Sequence, residues 1–374
     1  MSSRRRLTLA QAKETPCFTC TASPCCTHLP LHRFTVRTLV DLDHAIYLLN
    51  FDRIELGISP SGEWSIFYAY PCRFLDTRDP ANYLCTIHNT DLQPKICVHY
   101  SPYTCWYRKA LGADPGNDFL RIDRRRIAWI AERVQFDEHR VITGVPTWAE
   151  MAEMCASSPL ESEPVAQAAP TPDPVFEQWL TDTATGPSVA RPQALKVYQD
   201  FLDPCTGCAA HCCKTLVFPH GRPATRANLD YLQFALGFPG VEVGVSDGEW
   251  QLIVKTTCRH LTADNRCGVF GQPSRPMLCR YFDASSCTYV AQFGDTAPPG
   301  FLRVQLEQLY WLTETVRFGP DGAIAHLPAT EELRGHVERR WSETVASQLP
   351  VVAPAMPPEP PEPEPPVSPS GSPA

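Results

Sequence analysis

The chain writes one eight-cysteine pattern twice, about 185 residues apart. The first copy holds Cys17, Cys20, Cys25, Cys26, Cys72, Cys85, Cys97 and Cys105. The second holds Cys205, Cys208, Cys212, Cys213, Cys258, Cys267, Cys279 and Cys287. The separation between partners falls from 188 to 182 residues in small steps along the pattern, the mark of matched segments carrying short insertions and deletions. Sixteen thiols in two matching sets constrain the fold more than any other feature. Cys155 alone falls outside the pattern and receives no role.

The duplication reaches the apolar framework. Leu42-Asp43 matches Leu229-Asp230, Gly57 matches Gly244, and Gly62-Glu63-Trp64 matches Gly248-Glu249-Trp250. Phe119-Leu120-Arg121 matches Phe301-Leu302-Arg303, and Trp129 matches Trp311. Agreement between the cysteine clusters implies a shared fold as well as a shared ligand set, and repeats this long read as two globular units rather than a solenoid. The 374 residues divide into a first module (1–149), a flexible linker (150–190), a second module (191–345) and a Pro/Glu-rich tail (346–374) that has too little to bury and is expected to be disordered. The fold class expected is α+β: two homologous small cysteine-rich modules, each with helices and a β-hairpin around a thiolate metal site.

Local patterns fill in each module. Thr38 and Thr225 offer capping side chains to helices running to Leu49 and Leu236. Ile54, Leu56 and Ile58, then Trp64, Ile66, Tyr68 and Tyr70, alternate about a turn, as Val241, Val243 and Val245 do with Trp250, Leu252 and Val254. Period-two alternation of this kind predicts a hairpin whose second strand delivers Cys72 or Cys258 to the amino-terminal cluster. Amphipathic helices are predicted over Phe119–Val134 and Phe301–Val316, with Leu302, Leu306, Leu309 and Leu312 as a core stripe. Arg121, Arg124, Arg125 and Arg126 read as a solvated basic face. A further helix is expected from Pro192 to Leu202.

Charge and hydropathy narrow the function. A net charge of −8 argues against a general nucleic-acid binder. No run approaches the roughly eighteen apolar residues of a membrane helix. Ser3-Arg4-Arg5 faintly suggests a twin-arginine signal, but Gln11, Lys13 and Glu14 occupy the place of its apolar region. The expectation is a cytoplasmic protein, where thiols stay reduced and clustered ones serve metals or redox chemistry rather than disulfides.

Thiolates suit zinc, iron–sulfur clusters or cuprous copper. A C-x-x-C turn alone serves zinc knuckles, iron–sulfur proteins and redox sites alike. Followed by an adjacent pair and four more cysteines, all in duplicate, it points strongly to metal and weakly to which metal. Neighbouring side chains in extended backbone diverge, so Cys25 and Cys26, like Cys212 and Cys213, are expected to be free to serve different centres. His28, His88, His99, His211 and His260 lie near cysteines, but none has a histidine at the matching position, which assigns them to the surface or to a supporting shell. Glu63 and Glu249 read as solvated turn residues, and no nucleotide-binding or hydrolase motif occurs.

The second copy, CTGCAAHCC followed by CRHL and RCGVFGQPSRPMLCRYF, resembles the YkgJ-type cysteine-cluster family, described as a zinc- or iron-chelating domain. The first copy departs from that pattern, with Gln93 where the second has Arg275 and Val98 where it has Arg280. The resemblance implies a ligand class, zinc or iron held as mononuclear ions or as a 4Fe-4S type cluster, and no defined reaction. A more distant similarity runs to flagellin lysine methylases, which share a clustered-cysteine motif and are associated with an iron–sulfur cluster. Three functions are therefore carried forward. They are a chelator of zinc or iron through all sixteen cysteines, an iron–sulfur protein with a redox or methyl-transfer role, and a metal-stabilised scaffold that meets a protein partner through its Pro-rich tail. Neither nucleic acid nor membrane is expected as a partner.

Overall fold

The computed structural model describes residues 23–78, 83–88, 90–99, 107, 119–160, 208–272, 274–282, 287–293 and 300–348. Cys17, Cys20, Cys105 and Cys205, the helix expected at 192–202, the linker beyond 160 and the tail beyond 348 lie outside them.

Each half opens on a helical turn that carries its adjacent cysteines, α1 (Pro24–Thr27) in the first and a 3-10 turn (His211–Cys213) in the second. A strand follows directly, β1 (His28–Thr35) or β9 (Thr215–Pro219). Neither strand is evident in the sequence, and β1 is irregular, with a register shift between Pro30 and His32. Next come the capped helices α2 (Leu39–Leu48) and, in the second half, Arg226–Ala235. Thr38 accepts from the Asp41 backbone and Asp41 reaches back to Thr38, while Thr225 and Asn228 repeat the exchange. Such a box satisfies orphan donors of the first turn at both ends of the exchange.

The predicted hairpins are present as β2 (Ile54–Ile58) with β3 (Glu63–Ala69), and as Val241–Ser246 with Gln251–Lys255. Each lies inside a four-stranded antiparallel sheet of the same topology. In the first half the strand order is His28–Thr35, Glu63–Ala69, Ile54–Ile58, Leu120–Ile122. In the second it is Thr215–Pro219, Gln251–Lys255, Val241–Ser246, Phe301–Val304. The fold is α+β.

The outer strands correct the sequence reading. Phe119–Val134 and Phe301–Val316 are not continuous helices: Leu120–Ile122 and Phe301–Val304 are edge strands, and helices follow at Arg124–Ala131 and Leu306–Thr315. Leu302 therefore packs from a sheet, while Leu306, Leu309 and Leu312 hold the helical stripe. Of the basic run only Arg125 is exposed as a solvated face would be. Arg124 and Arg126 are buried, Arg121 pairs with Glu55, and Arg126 donates to the carbonyls of Arg121, Cys155 and Ser158. Buried guanidinium donors that satisfy carbonyls hold the helix Trp148–Ser157 in place. That helix, with Met151 and Met154 buried, occupies residues 150–157 of the segment expected to be linker.

One apolar cluster runs through both halves, from Leu42, Ile46 and Tyr68 to Leu232, Phe238 and Val254. Backbone contacts between the halves come in matched pairs. Arg73 N donates to Gly237 O at 2.8 Å, and its counterpart Arg259 N donates to Asn50 O at 2.8 Å. Asp230 accepts from the backbone of Lys95 and Ile96, at 2.6 Å each, at the start of the short helix Lys95–His99. Asp43 accepts from Leu278 at 3.3 Å in the matching helix Met277–Arg280. Each half thus grips the cysteine-bearing helix of the other.

Candidate metal centre

In both halves the hairpin returns to the amino-terminal turn. Cys72 N donates to Cys26 O at 2.7 Å, and Cys258 N donates to Cys213 O at the same distance. The adjacent cysteines do not diverge as extended backbone would require. The helical turns hold Cys25 and Cys26 Sγ 3.8 Å apart, and Cys212 and Cys213 Sγ 4.0 Å apart. Two sulfurs about 2.3 Å from one tetrahedral ion stand about 3.8 Å apart, so each pair has the spacing of shared ligands.

The remaining thiols gather around these pairs. The Cys97 thiol is pushed up to about 12 by burial and then by the charges of Cys72, Cys25 and Cys85. In the second half Cys258 is pushed up to about 12 by burial and then by Cys267 and Cys212. Burial, with Cys258, Cys267 and Cys212 behind it, raises Cys279 further. The same four positions, Cys25, Cys72, Cys85 and Cys97 or Cys212, Cys258, Cys267 and Cys279, thus lie within electrostatic reach in each half. A proton is costly to remove from crowded, half-buried thiols unless a cation replaces it.

Backbone N–H groups lie near four of these sulfurs. The N–H groups of Phe74 and Ile87 favour the thiolates of Cys72 and Cys85, against burial. Those of His260 and Val269 do the same for Cys258 and Cys267. In each case the N–H is two residues beyond the cysteine, so the local turn itself brings it towards the sulfur. Charge-assisted bonds from such groups orient a thiolate and lower its basicity.

Among the described residues, no three histidine, cysteine, aspartate or glutamate side chains stand close enough to enclose one ion. Cys208 and Cys287 are half-buried, and among the described residues neither forms a disulfide. Cys155 is remote from both sets, with its sulfur 3.9 Å from Arg121 O. Of the histidines, His28 sits 3.8 Å from Glu55, and His260 is lowered to about 4 by burial and then by Arg124. A neutral imidazole is the form that supports or ligates a metal.

Several residues at these sites escaped the sequence reading. Glu55 and Glu242 are duplicated partners of Arg121 and Arg303, tying the hairpin to the edge strand in each half. The duplicated Asp43 and Asp230 anchor the cysteine helices. Arg275, buried at 8% exposure, favours the thiolates of Cys212, Cys267 and Cys279, where the first half has the neutral Gln93. The duplicated Asp and Glu-Arg positions were visible as matches, but their partners are distant in sequence.

No family model matches the chain, and no curated protein or solved structure matches it. No helix among the described residues is long and apolar enough to cross a membrane.

Proposed function

We propose that the protein binds zinc or iron through two thiolate centres, one per half. The observation that carries this reading is the duplicated return of the hairpin, Cys72 N to Cys26 O and Cys258 N to Cys213 O, onto a cysteine pair at ligand spacing. Cys25, Cys26, Cys72, Cys85 and Cys97 form the first donor set, and Cys212, Cys213, Cys258, Cys267 and Cys279 the second. The all-thiol chemistry fits a soft or borderline cation. Bound metal supplies a positive charge that keeps the buried thiols ionised and cross-links the hairpin to the cysteine loop. Reduced thiols suit a cytoplasmic setting, and the YkgJ-type resemblance favours the same ligand class. An iron–sulfur cluster, which like a tetrahedral ion is held by four thiolates, is the second reading.

Metal and acid-labile sulfide content, with a visible spectrum, on anaerobically purified full chain tests both. Colourless protein with zinc, or iron without sulfide, reduced in Cys258→Ser/Cys279→Ser, supports mononuclear chelation. Matched iron and sulfide with visible absorbance moves the assignment to an iron–sulfur protein. Folded wild type lacking metal overturns both readings.

A further inference from the structure

The two thiol sets match in sulfur but not in what surrounds them. Residues from the opposite half form part of each wall, and there the copies diverge. A methyl group built on Gly237 would stand 3.1 Å from Cys72 Sγ, so position 237 looks directly at the first set. Its counterpart facing the second set is Asn50, related by the offset of 187 that relates Asp43 to Asp230. The reciprocal backbone bond, Arg259 N to Asn50 O, fixes Asn50 as Arg73 N to Gly237 O fixes Gly237. Phe51 then pairs directly with Cys258 in an antiparallel bridge.

Asn50 is 2% exposed, and neither its Nδ2 nor its Oδ1 has a hydrogen-bond partner. An unpaired buried carboxamide costs about 1–3 kcal/mol per polar group, so a protein retains one where something else satisfies it. The neighbours differ in the same sense. Tyr47, close enough to feel the charges of Cys279, Cys212 and Cys258, replaces Phe234 of the other half. His260, whose Nε2 is also buried without a partner, replaces Phe74, and Arg275 replaces Gln93. At these positions the second set has Asn, Tyr, His and Arg where the first has Gly, two Phe and the neutral Gln93.

We infer that Asn50 is a positioning residue for the second thiol set, its carboxamide, which no protein atom satisfies, being met by the metal group held beside Cys258, so that the two centres are unequal. The second is tuned by a side chain from the first half of the chain; at the first, Gly237 offers no such group. This rests on the metal-binding reading above. Because the donor and the cysteines belong to different halves, the effect of its loss is crossed.

The test uses full-length chain with only one centre competent. Cys72→Ser/Cys85→Ser leaves the second set, and Cys258→Ser/Cys267→Ser leaves the first. Zinc affinity is measured by chelator competition, and cobalt(II) supplies the sulfur-to-metal charge-transfer band. Asn50→Asp keeps the side-chain shape and removes the donor. Asn50→Gly copies the residue found at 237 and serves if the aspartate variant does not fold. Loss of an outer-shell partner weakens metal binding about 10–100-fold, so a drop of that size is expected at the second set, with a shifted cobalt band. Affinity at the first set stays unchanged. Equal weakening at both sets, or no change at either, overturns the inference by returning Asn50 to a packing role. Absence of metal from wild type would instead remove the reading on which it rests.

Discussion

Gly57 and its counterpart Gly244 give a sharp test of how the sheets are built. A methyl group on Gly57 would lie 2.0 Å from Phe119 Cε1 and 2.1 Å from Cζ. Ordinary carbon–carbon contact lies at about 3.5–4.0 Å, so the ring must retreat by about 1.5 Å. It has no free space to enter, since Phe119 is 6% exposed and packs edge-on against Phe67 with centroids 5.8 Å apart. Gly57→Ala therefore expels the ring. Lost burial costs about 2–3 kcal/mol, and the lost aromatic pair about 0.5–1.5 kcal/mol. Reduced freedom of the unfolded chain returns about 0.4–1 kcal/mol. The expected net loss is about 2–4 kcal/mol, read as a lower urea midpoint at unchanged slope. In a Phe119→Ala background the clash has no partner, and Gly57→Ala should be nearly neutral. At Gly244 the nearest ring atoms are 2.7 and 2.8 Å away, so Gly244→Ala should cost less, about 1–3 kcal/mol. Additivity of Gly57→Ala with Phe119→Ala in the double-mutant cycle would refute the reasoning.

Asp230→Asn should cost about 1.5–3 kcal/mol, because it weakens two short bonds to the helix that carries Cys97. Asp43→Asn should be nearly neutral at neutral pH, as burial has pushed the Asp43 carboxyl up to about 6 despite its backbone donors. Its folded value lies above the unfolded one, so its stabilisation is full below about pH 4 and lost as pH rises through about 6. Urea midpoints at both pH values, with and without the substitution, check this. Glu55 runs the other way: burial raises its carboxyl, but His28 and Arg121 outweigh that and hold it at about 2. Stability from Glu55 is present above the unfolded value and lost as pH falls towards 2, and Glu55→Gln should remove about 2 kcal/mol at neutral pH, after allowing for a side chain one-quarter exposed. The variant should also flatten acid unfolding in that window. Thr38→Ala, which opens the capping box, should cost about 1 kcal/mol by the same urea assay.

Features set by neighbours in sequence were legible. Thr38-x-x-Asp41 and Thr225-x-x-Asn228 announce their helices, and alternation about Gly62 and Gly248 announces the hairpins, because capping and period-two burial act over a few residues. Features set by distant partners were not. Leu302 fits a helical stripe by spacing, yet pairing of Phe301–Val304 with Val243–Ser246 makes it a strand residue. His28–Thr35 hides as a strand because Pro30 and a register shift break its alternation. The arginines after Phe119 look solvated until Glu55 and the carbonyls of Cys155 and Ser158 are brought to them. The matching cysteines exposed the two sets, but the divergence of backbone expected at Cys25-Cys26 failed because a helical turn, not a strand, carries the pair.

The reciprocal grip also changes what duplication permits. If each half closed its own thiol set, tuning one centre would mean altering residues that also serve that half's own core and cysteine loop. Here Tyr47 and Asn50 stand at and just beyond the end of the first half's helix but lie by the cysteines of the second, as Gly237 stands towards the first. A substitution on one helix face therefore redresses the opposite centre while the cysteine loops, the hairpins and the Asp43 and Asp230 anchors stay as they are. Glycine at 237 and asparagine at 50 are the two outcomes of that freedom. With the cysteine pattern held common, these walls are where the two thiol sets differ among the described residues, which makes the wall, rather than the cysteine pattern, a place where the two copies can acquire different roles.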